Sequence, residues 1–314
     1  MSGALPTREA IVATARESIA AGSKSFAVAA MLFEPAVRER AWLLYAWCRA
    51  CDDIADGQRH GHALSKVADA PARLAEVRAK TEAALAGRIV GDPAFDALRI
   101  VAGETAMPPA WPRDLIAGFA LDAREWRPRT EADLYTYCWH VAGVVGCMMA
   151  VVMGVSPGDA ATLDRAADLG MAFQLANIAR DVGEDAAGDR CYLPEDWLVE
   201  MDVPPGEHMR PHYRPRLAVL GRRLAAQAAA FEDSARGGTP ALSFRSAWAV
   251  LAAAGIYGDI ARRVGERGET AWDRRVTTST GEKLGWVAKA GWQAARRERY
   301  RGVARQDLWV RPAS

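Results

Sequence analysis

An all-α fold is predicted by three observations. Alanine, leucine and arginine dominate the 314 residues, prolines punctuate stretches of helical length, and Val-rich alternating strands are absent. Half of the residues are hydrophobic, so a sizeable core can form. The first helical segment, 7–21, follows Pro6, and the second, 36–57, follows Pro35. Segments 64–87, 93–106 and 112–123 come next, the last two opening at Pro93 and Pro112. Segment 131–154 starts at Thr130-Glu131-Ala132-Asp133, which resembles a capping box. Segment 157–187 starts at Ser156-Pro157, read as an N-cap followed by Pro at N1. Segments 214–236, 241–267 and 282–300 complete the set. Gly/Ser linkers, low-complexity tracts and short-period repeats are absent, so residues 1–314 read as one domain with a core at about 10–311.

The formal net charge of +1 argues against nucleic-acid binding through bulk charge. Residues 261–314 are locally basic, with 13 Lys and Arg against 6 Asp and Glu. A solvated Arg-rich face accounts for this excess, and contact with an anionic membrane surface or with an anionic substrate is the sharper alternative. The N-terminus lacks the apolar region of a signal peptide. The apolar run Val141–Val155 is short for a bilayer and contains Gly143, Gly146 and Gly154, so it reads as a core helix approached closely by its neighbours. The expectation is a cytoplasmic protein, soluble or peripheral on the inner membrane. The five cysteines are odd in number and sit in apolar contexts, as reduced buried thiols do. Cys48 and Cys51 form a lone C-x-x-C inside a helix, a poor fit to zinc or redox chemistry.

Two acidic clusters carry the chemistry. On segment 36–57, Tyr45, Arg49, Asp52 and Asp56 fall within about 60° of one another, with Asp53 at the edge. On segment 157–187, Gln174, Asn177, Asp181 and Asp185 form a second stripe, with Glu184 at its edge. A solvated face mixes Lys with Glu, whereas these faces concentrate Asp, Asn and Gln. Converging carboxylates would repel by several kcal/mol at an effective dielectric of about 20 unless a cation lay between them. Mg²⁺, with Mn²⁺ as a substitute, is the implied ion, and it takes its remaining ligands from water and phosphate. A Walker-type loop is absent, so a diphosphate with an apolar body fits better than a nucleotide.

Further stretches complete the pattern: Gly22-Ser23-Lys24-Ser25-Phe26, Tyr137 to Gly143, Arg190-Cys191-Tyr192-Leu193-Pro194, Arg245 to Trp248, Ile256-Tyr257 and Trp272-Asp273-Arg274-Arg275. With both acidic clusters, the chain resembles the squalene/phytoene synthase family of head-to-head isoprenyl diphosphate synthases, and within it the bacterial phytoene synthases. One departure is Gly22, where some relatives have histidine. The resemblance implies an isoprenoid synthase-like helical bundle around a central cavity. It places Mg²⁺ on Asp52 and Asp56 from one wall and on Asn177, Asp181 and Asp185 from the other. It assigns Tyr45, Arg49, Gln174 and Arg180 to one diphosphate, and Gly22, Ser23, Lys24, Ser25, Phe26, Tyr257 and Arg275 to substrate binding around the second. Asp52, Asp56, Asp181, Asp185, Tyr45 and Arg49 are the implied catalytic set. His140 reads as a packed histidine. The implied reaction joins two geranylgeranyl diphosphates through prephytoene diphosphate into phytoene for carotenoid biosynthesis, releasing diphosphate and requiring no NADPH. A farnesyl diphosphate-dependent squalene or dehydrosqualene synthase is the nearest alternative. A catalytically silent interaction protein of the same fold is a more distant one.

Overall fold

The computed structural model describes residues 6–56, 70–305 and 307–312, apart from the side chains at 24, 25, 55 and 56. Among them the helices run in chain order as α1 (Arg8–Gly22), α2 (Lys24–Ala30), α3 (Pro35–Asp56), α4 (Ala70–Leu85), α5 (Pro93–Glu104), α6 (Ala110–Asp122) and α7 (Glu131–Cys138). They continue as α8 (Val144–Val152), α9 (Ala160–Ala187), α10 (Glu195–Glu200), α11 (Arg214–Arg236), α12 (Phe244–Arg267) and α13 (Thr280–Ala295). No strand occurs among the described residues. The expected helix at 64–87 is α4 in its described part; 64–69 lie outside the described residues.

Several boundaries differ from expectation for local reasons. Thr130 and Asp133 do form a reciprocal capping box. The N-cap of α9, however, is Asp159, whose side chain accepts from the Thr162 amide, while Ser156 closes a turn onto the Gly158 amide. The expected helix 282–300 begins earlier, at a second capping box between Ser279 and Glu282, and ends at Ala295 before a 3₁₀ turn. Helices α2 and α10 had no expectation; seven and six residues are too few for a periodic pattern.

The expected helix 131–154 is interrupted by a π-helical turn, Trp139–Gly143, between α7 and α8. With that turn, Glu131–Val152 forms one helical stretch of 22 residues, long and apolar enough to cross a membrane by length and composition. The expectation that the apolar run is too short therefore fails on length. Half of that stretch is nevertheless buried, and it packs between α6 and α9. A Cβ on Gly146 would lie 2.1 Å from the Ala166 carbonyl oxygen, and one on Gly170 would lie 2.2 Å from that of Ala142. Backbone therefore meets backbone along the α8–α9 contact, and only glycine fits there.

Helix α9 is the organising element. It packs against α8, α11, α12 and the π turn, while α3 packs against α1, α4 and α5. Trp47, Trp111 and Trp139 are among the largest fully buried side chains. The five cysteines are free thiols, and burial pushes the Cys48 thiol up to about 12, so it stays protonated and a poor metal ligand. His140 is half-buried and donates through Nδ1 to the Asp114 carbonyl at 3.0 Å, a packed histidine.

Candidate active site

A cavity of about 630 Å³ opens along one side of α9. Thr162, Arg165, Ala166, Leu169, Gly170, Phe173, Gln174, Asn177 and Arg180 line it at the spacing of a single helical stripe. At 1.5 Å per residue the stripe spans about 27 Å. Facing walls come from α2 and α3 (Phe26, Ala29, Tyr45, Arg49), from the π turn and α8 (Val141, Val145, Met149), and from α12 (Val250, Ala253, Tyr257). The π turn matters locally: its extra residue shifts the helical register and brings Val141 and Ala142 to the cavity wall.

Polarity is concentrated at one end. Arg49, Arg180 and Arg275 reach the cavity there, beside Gln174, Asn177, Tyr45, Ser23 and Tyr257. Below them the lining is mostly Val, Met, Ala, Leu and Phe. Trp272 holds the segment carrying Arg275 by donating from its indole to the Ala179 carbonyl at 2.9 Å. Tyr257 stacks on Phe173 at 4.3 Å between ring centres. Burial pushes its phenol up, and nearby Arg180 and Arg49 hold it back, so the two arginines flank it from opposite walls. Tyr45 Oη and Arg49 Nε are buried without a hydrogen-bond partner. Both face Gly22, where a Cβ would lie 2.4 Å from the hydroxyl and 3.4 Å from Nε. Unpaired buried donors of this kind suit an anion.

The acids sit just behind the arginines. Asp52 accepts from Arg49 at 2.5 Å. Asp181 receives a two-pronged contact from Arg180 at 2.7 and 2.5 Å, and Arg275 reaches the same carboxylate at 3.0 Å and pairs with Glu184. One turn further, burial and then the charge of Asp181 push the Asp185 carboxyl up to about 7. A neighbouring cation would favour its ionised form. Among the described residues no group of three His, Cys, Asp or Glu side chains is placed to hold a metal ion. Mg²⁺ takes only a few carboxylates and completes its shell with water and phosphate oxygens. The donors present are hard oxygens, and they fit.

The squalene/phytoene synthase family matches residues 19–282. The chain belongs to that family. It is 45% identical to the phytoene synthase of Pseudescherichia vulneris over 301 residues, covering 95% of this chain and 97% of that one. It is 47% identical to the 15-cis-phytoene synthase of a Paracoccus species over 303 residues, covering 96% and 98%. Among solved structures, a dehydrosqualene synthase superposes with a TM-score of 0.82 at 26% identity, covering 92% of this chain and 98% of that one.

In this squalene/phytoene synthase family member the structure brings Gly22, Ser23, Phe26, Tyr45, Arg49, Gln174, Asn177, Arg180, Tyr257 and Arg275 to one cavity. Asp52, Asp181 and Asp185 stand behind its polar end, each near an arginine. The side chains of Lys24, Ser25 and Asp56 lie outside the described residues. Asp122 was missed by sequence reasoning. It accepts from Tyr137 at 3.1 Å and Tyr192 at 2.8 Å, whose rings stack at 4.8 Å, and its charge reaches Asp185. A single Asp at the end of α6 gives no periodic signal, although both tyrosines lie in stretches that carry the family pattern.

Proposed function

We propose that this protein condenses two molecules of geranylgeranyl diphosphate head to head into phytoene, a step of carotenoid biosynthesis. The observation that carries the reading is the α9 stripe, which joins a three-arginine mouth to an apolar channel. Such a lining matches a diphosphate on a long hydrocarbon and suits few other metabolites. The near full-length identity to phytoene synthases supports the same substrate class.

Arg49, Arg180 and Arg275 bind phosphate oxygens through planar forks. Asp52 and Asp56 on α3 and Asn177, Asp181 and Asp185 on α9 would hold Mg²⁺, for which Mn²⁺ could substitute. When bound, the ion supplies neutralisation of the departing diphosphate. The first C–O bond breaks and one diphosphate leaves; the second molecule's double bond attacks, and loss of a proton closes a cyclopropane. The second C–O bond then breaks, the carbon skeleton rearranges, and a second proton is lost to give phytoene and two diphosphates. Electrons balance without NADPH. Phe26, Val141, Met149 and Leu169 exclude water that would quench the cations.

On this reading the chain is one domain acting in the cytoplasm, peripheral on the inner membrane where its apolar product belongs, and it does not act on nucleic acid. The membrane contact is supported by α13, whose Leu284, Ala288 and Trp292 are exposed at i, i+4 and i+8, with Arg296 and Arg299 over the Trp292 ring.

The deciding experiment incubates purified protein with Mg²⁺ and either geranylgeranyl or farnesyl diphosphate, without NADPH, and identifies the hydrocarbon by mass spectrometry. Phytoene is the expected product. Turnover of farnesyl diphosphate alone would assign the chain to the dehydrosqualene type, and no turnover of either would sink the reading.

A further inference from the structure

The end of the cavity opposite the arginine mouth carries a charged side chain. Arg165, a turn below Leu169 on α9, lines the cavity there with Thr162 and Gly238. An unpaired guanidinium would be costly beside an apolar channel. This one is satisfied: it donates to the Ser234 hydroxyl at 2.6 Å, to the Ser234 carbonyl at 3.1 Å and to the Val303 carbonyl. Gly237 and Gly238 make room for it, since a Cβ at 238 would lie 2.8 Å from Arg165 Cβ.

The Val303 carbonyl belongs to a C-terminal strap that is itself pinned to α9. Arg305 makes a two-pronged contact with buried Asp168, both distances 2.9 Å, and Arg311 bonds Asp164 at 2.7 Å. The Ser234 hydroxyl also donates to Asp168, at 2.5 Å. The guanidinium is thus locked in place from both α11 and the strap.

The depth at which it lies is informative. Asn177, at the polar end, and Arg165 are twelve residues apart on one helix, about 18 Å at 1.5 Å per residue. An extended chain advances about 1.2 Å per single bond, from roughly 3.5 Å per three-bond peptide residue, so the ~15 main-chain bonds of a geranylgeranyl group reach ~18 Å and the ~11 of a farnesyl group ~13 Å. A farnesyl tail would stop near Leu169, about 12 Å from Asn177 along the axis.

We propose that Arg165, locked by Ser234 and by the strap that carries Val303, Arg305 and Arg311, is the floor of the channel and sets the longest isoprenoid chain it accepts. The inference rests on the prenyl diphosphate reading above. Removing the floor admits a longer chain, and a bulky residue one turn higher excludes the longer of the two natural ones.

The test offers wild type, Arg165→Ala and Leu169→Trp a mixture of C15, C20 and C25 prenyl diphosphates with Mg²⁺, and reads products by mass. In parallel, thermal shifts with unreactive C15, C20 and C25 diphosphate analogues read chain-length preference without turnover. Arg165→Ala should raise the C25-to-C20 ratio at least about tenfold, and Leu169→Trp should raise the C15-to-C20 ratio by a similar factor. A C25-to-C20 preference unchanged in Arg165→Ala, by products or by thermal shift, would overturn the floor. If Arg165→Ala does not fold, the Leu169→Trp ratio decides: no shift toward C15 means the chain does not run down this stripe. If wild type turns over no diphosphate, the functional reading fails, and the thermal-shift series alone judges the floor.

Discussion

Gly22 lies directly beneath the hydroxyl of Tyr45, so close that a methyl group at position 22 would stand 2.4 Å from that oxygen. The glycine ends α1, and its missing side chain is what lets Tyr45 and Arg49 enter the polar end of the cavity. Gly22→Ala is therefore expected to displace Tyr45 and lower kcat/KM about tenfold or more, while the far-UV circular dichroism stays as in wild type. Unchanged kinetics would show that the phenol has slack that the geometry denies.

Asp52→Ala and Asp181→Ala should each reduce phytoene formation by about a thousandfold or more, because on the proposed reading each removes an oxygen meant for Mg²⁺, and each leaves Arg49 or Arg180 without its carboxylate. The check is steady-state product formation alongside circular dichroism. Near-normal turnover in either variant would remove that acid from the metal site.

Mg²⁺ with an unreactive diphosphate analogue should raise the Tm of wild type well above that of Asp181→Ala. Ligand at about 100 times Kd stabilises by about 2.7 kcal/mol, which is several degrees for a protein of this size. Equal shifts measured by differential scanning fluorimetry would count against a specific site.

Asp185 gives a pH prediction. Its carboxyl is raised from 3.8 to about 7 by burial and by Asp181, so the folded protein holds this proton more tightly than the unfolded chain does. Its contribution is fully present below about pH 4 and is lost as pH rises toward 7. Without metal, Asp185→Asn should then be more stable than wild type at pH 8, by an amount of order 1–3 kcal/mol, and similar to it at pH 4. Urea unfolding at the two pH values measures this. A stability difference that does not change with pH would refute it.

The exposed stripe on α13 predicts vesicle binding. Trp292→Ser combined with Leu284→Ser should reduce flotation with anionic vesicles several-fold and leave turnover of detergent-dispersed substrate unchanged. Equal flotation would place the membrane contact elsewhere.

The legible part of the molecule was the part written in period. Two polar stripes on apolar helices announced the acidic clusters, because a 3.6-residue repeat survives in any tertiary setting. Gly143 and Gly146 in an apolar run announced close packing, and Gly146 meets the Ala166 carbonyl, but Gly154 instead turns the chain after α8 at a positive φ with nothing within 4 Å of its Cβ position. The π turn at Trp139–Gly143 was not legible, since its one-residue register shift follows from how α8 seats on α9. Asp122 and Arg165 were not legible either. Each is a lone charged residue whose partners, Tyr137 and Tyr192 for the first and Ser234 and Val303 for the second, are distant in the chain.

Sequence by itself thus determined the all-α class, the family and the identity of the residues at the polar end of the cavity. The class and the two acidic stripes follow from local periodicity and composition, which are properties of neighbouring residues, whereas the family and the remaining site residues follow from motifs that resemble those of the family. The tertiary structure alone decided that three arginines gather at one mouth, that Gly22 clears space for Tyr45, and that Arg165 lies at the opposite end of the cavity. These depend on how close packed helices come to one another, and that distance is set by side chains from segments far apart in the chain.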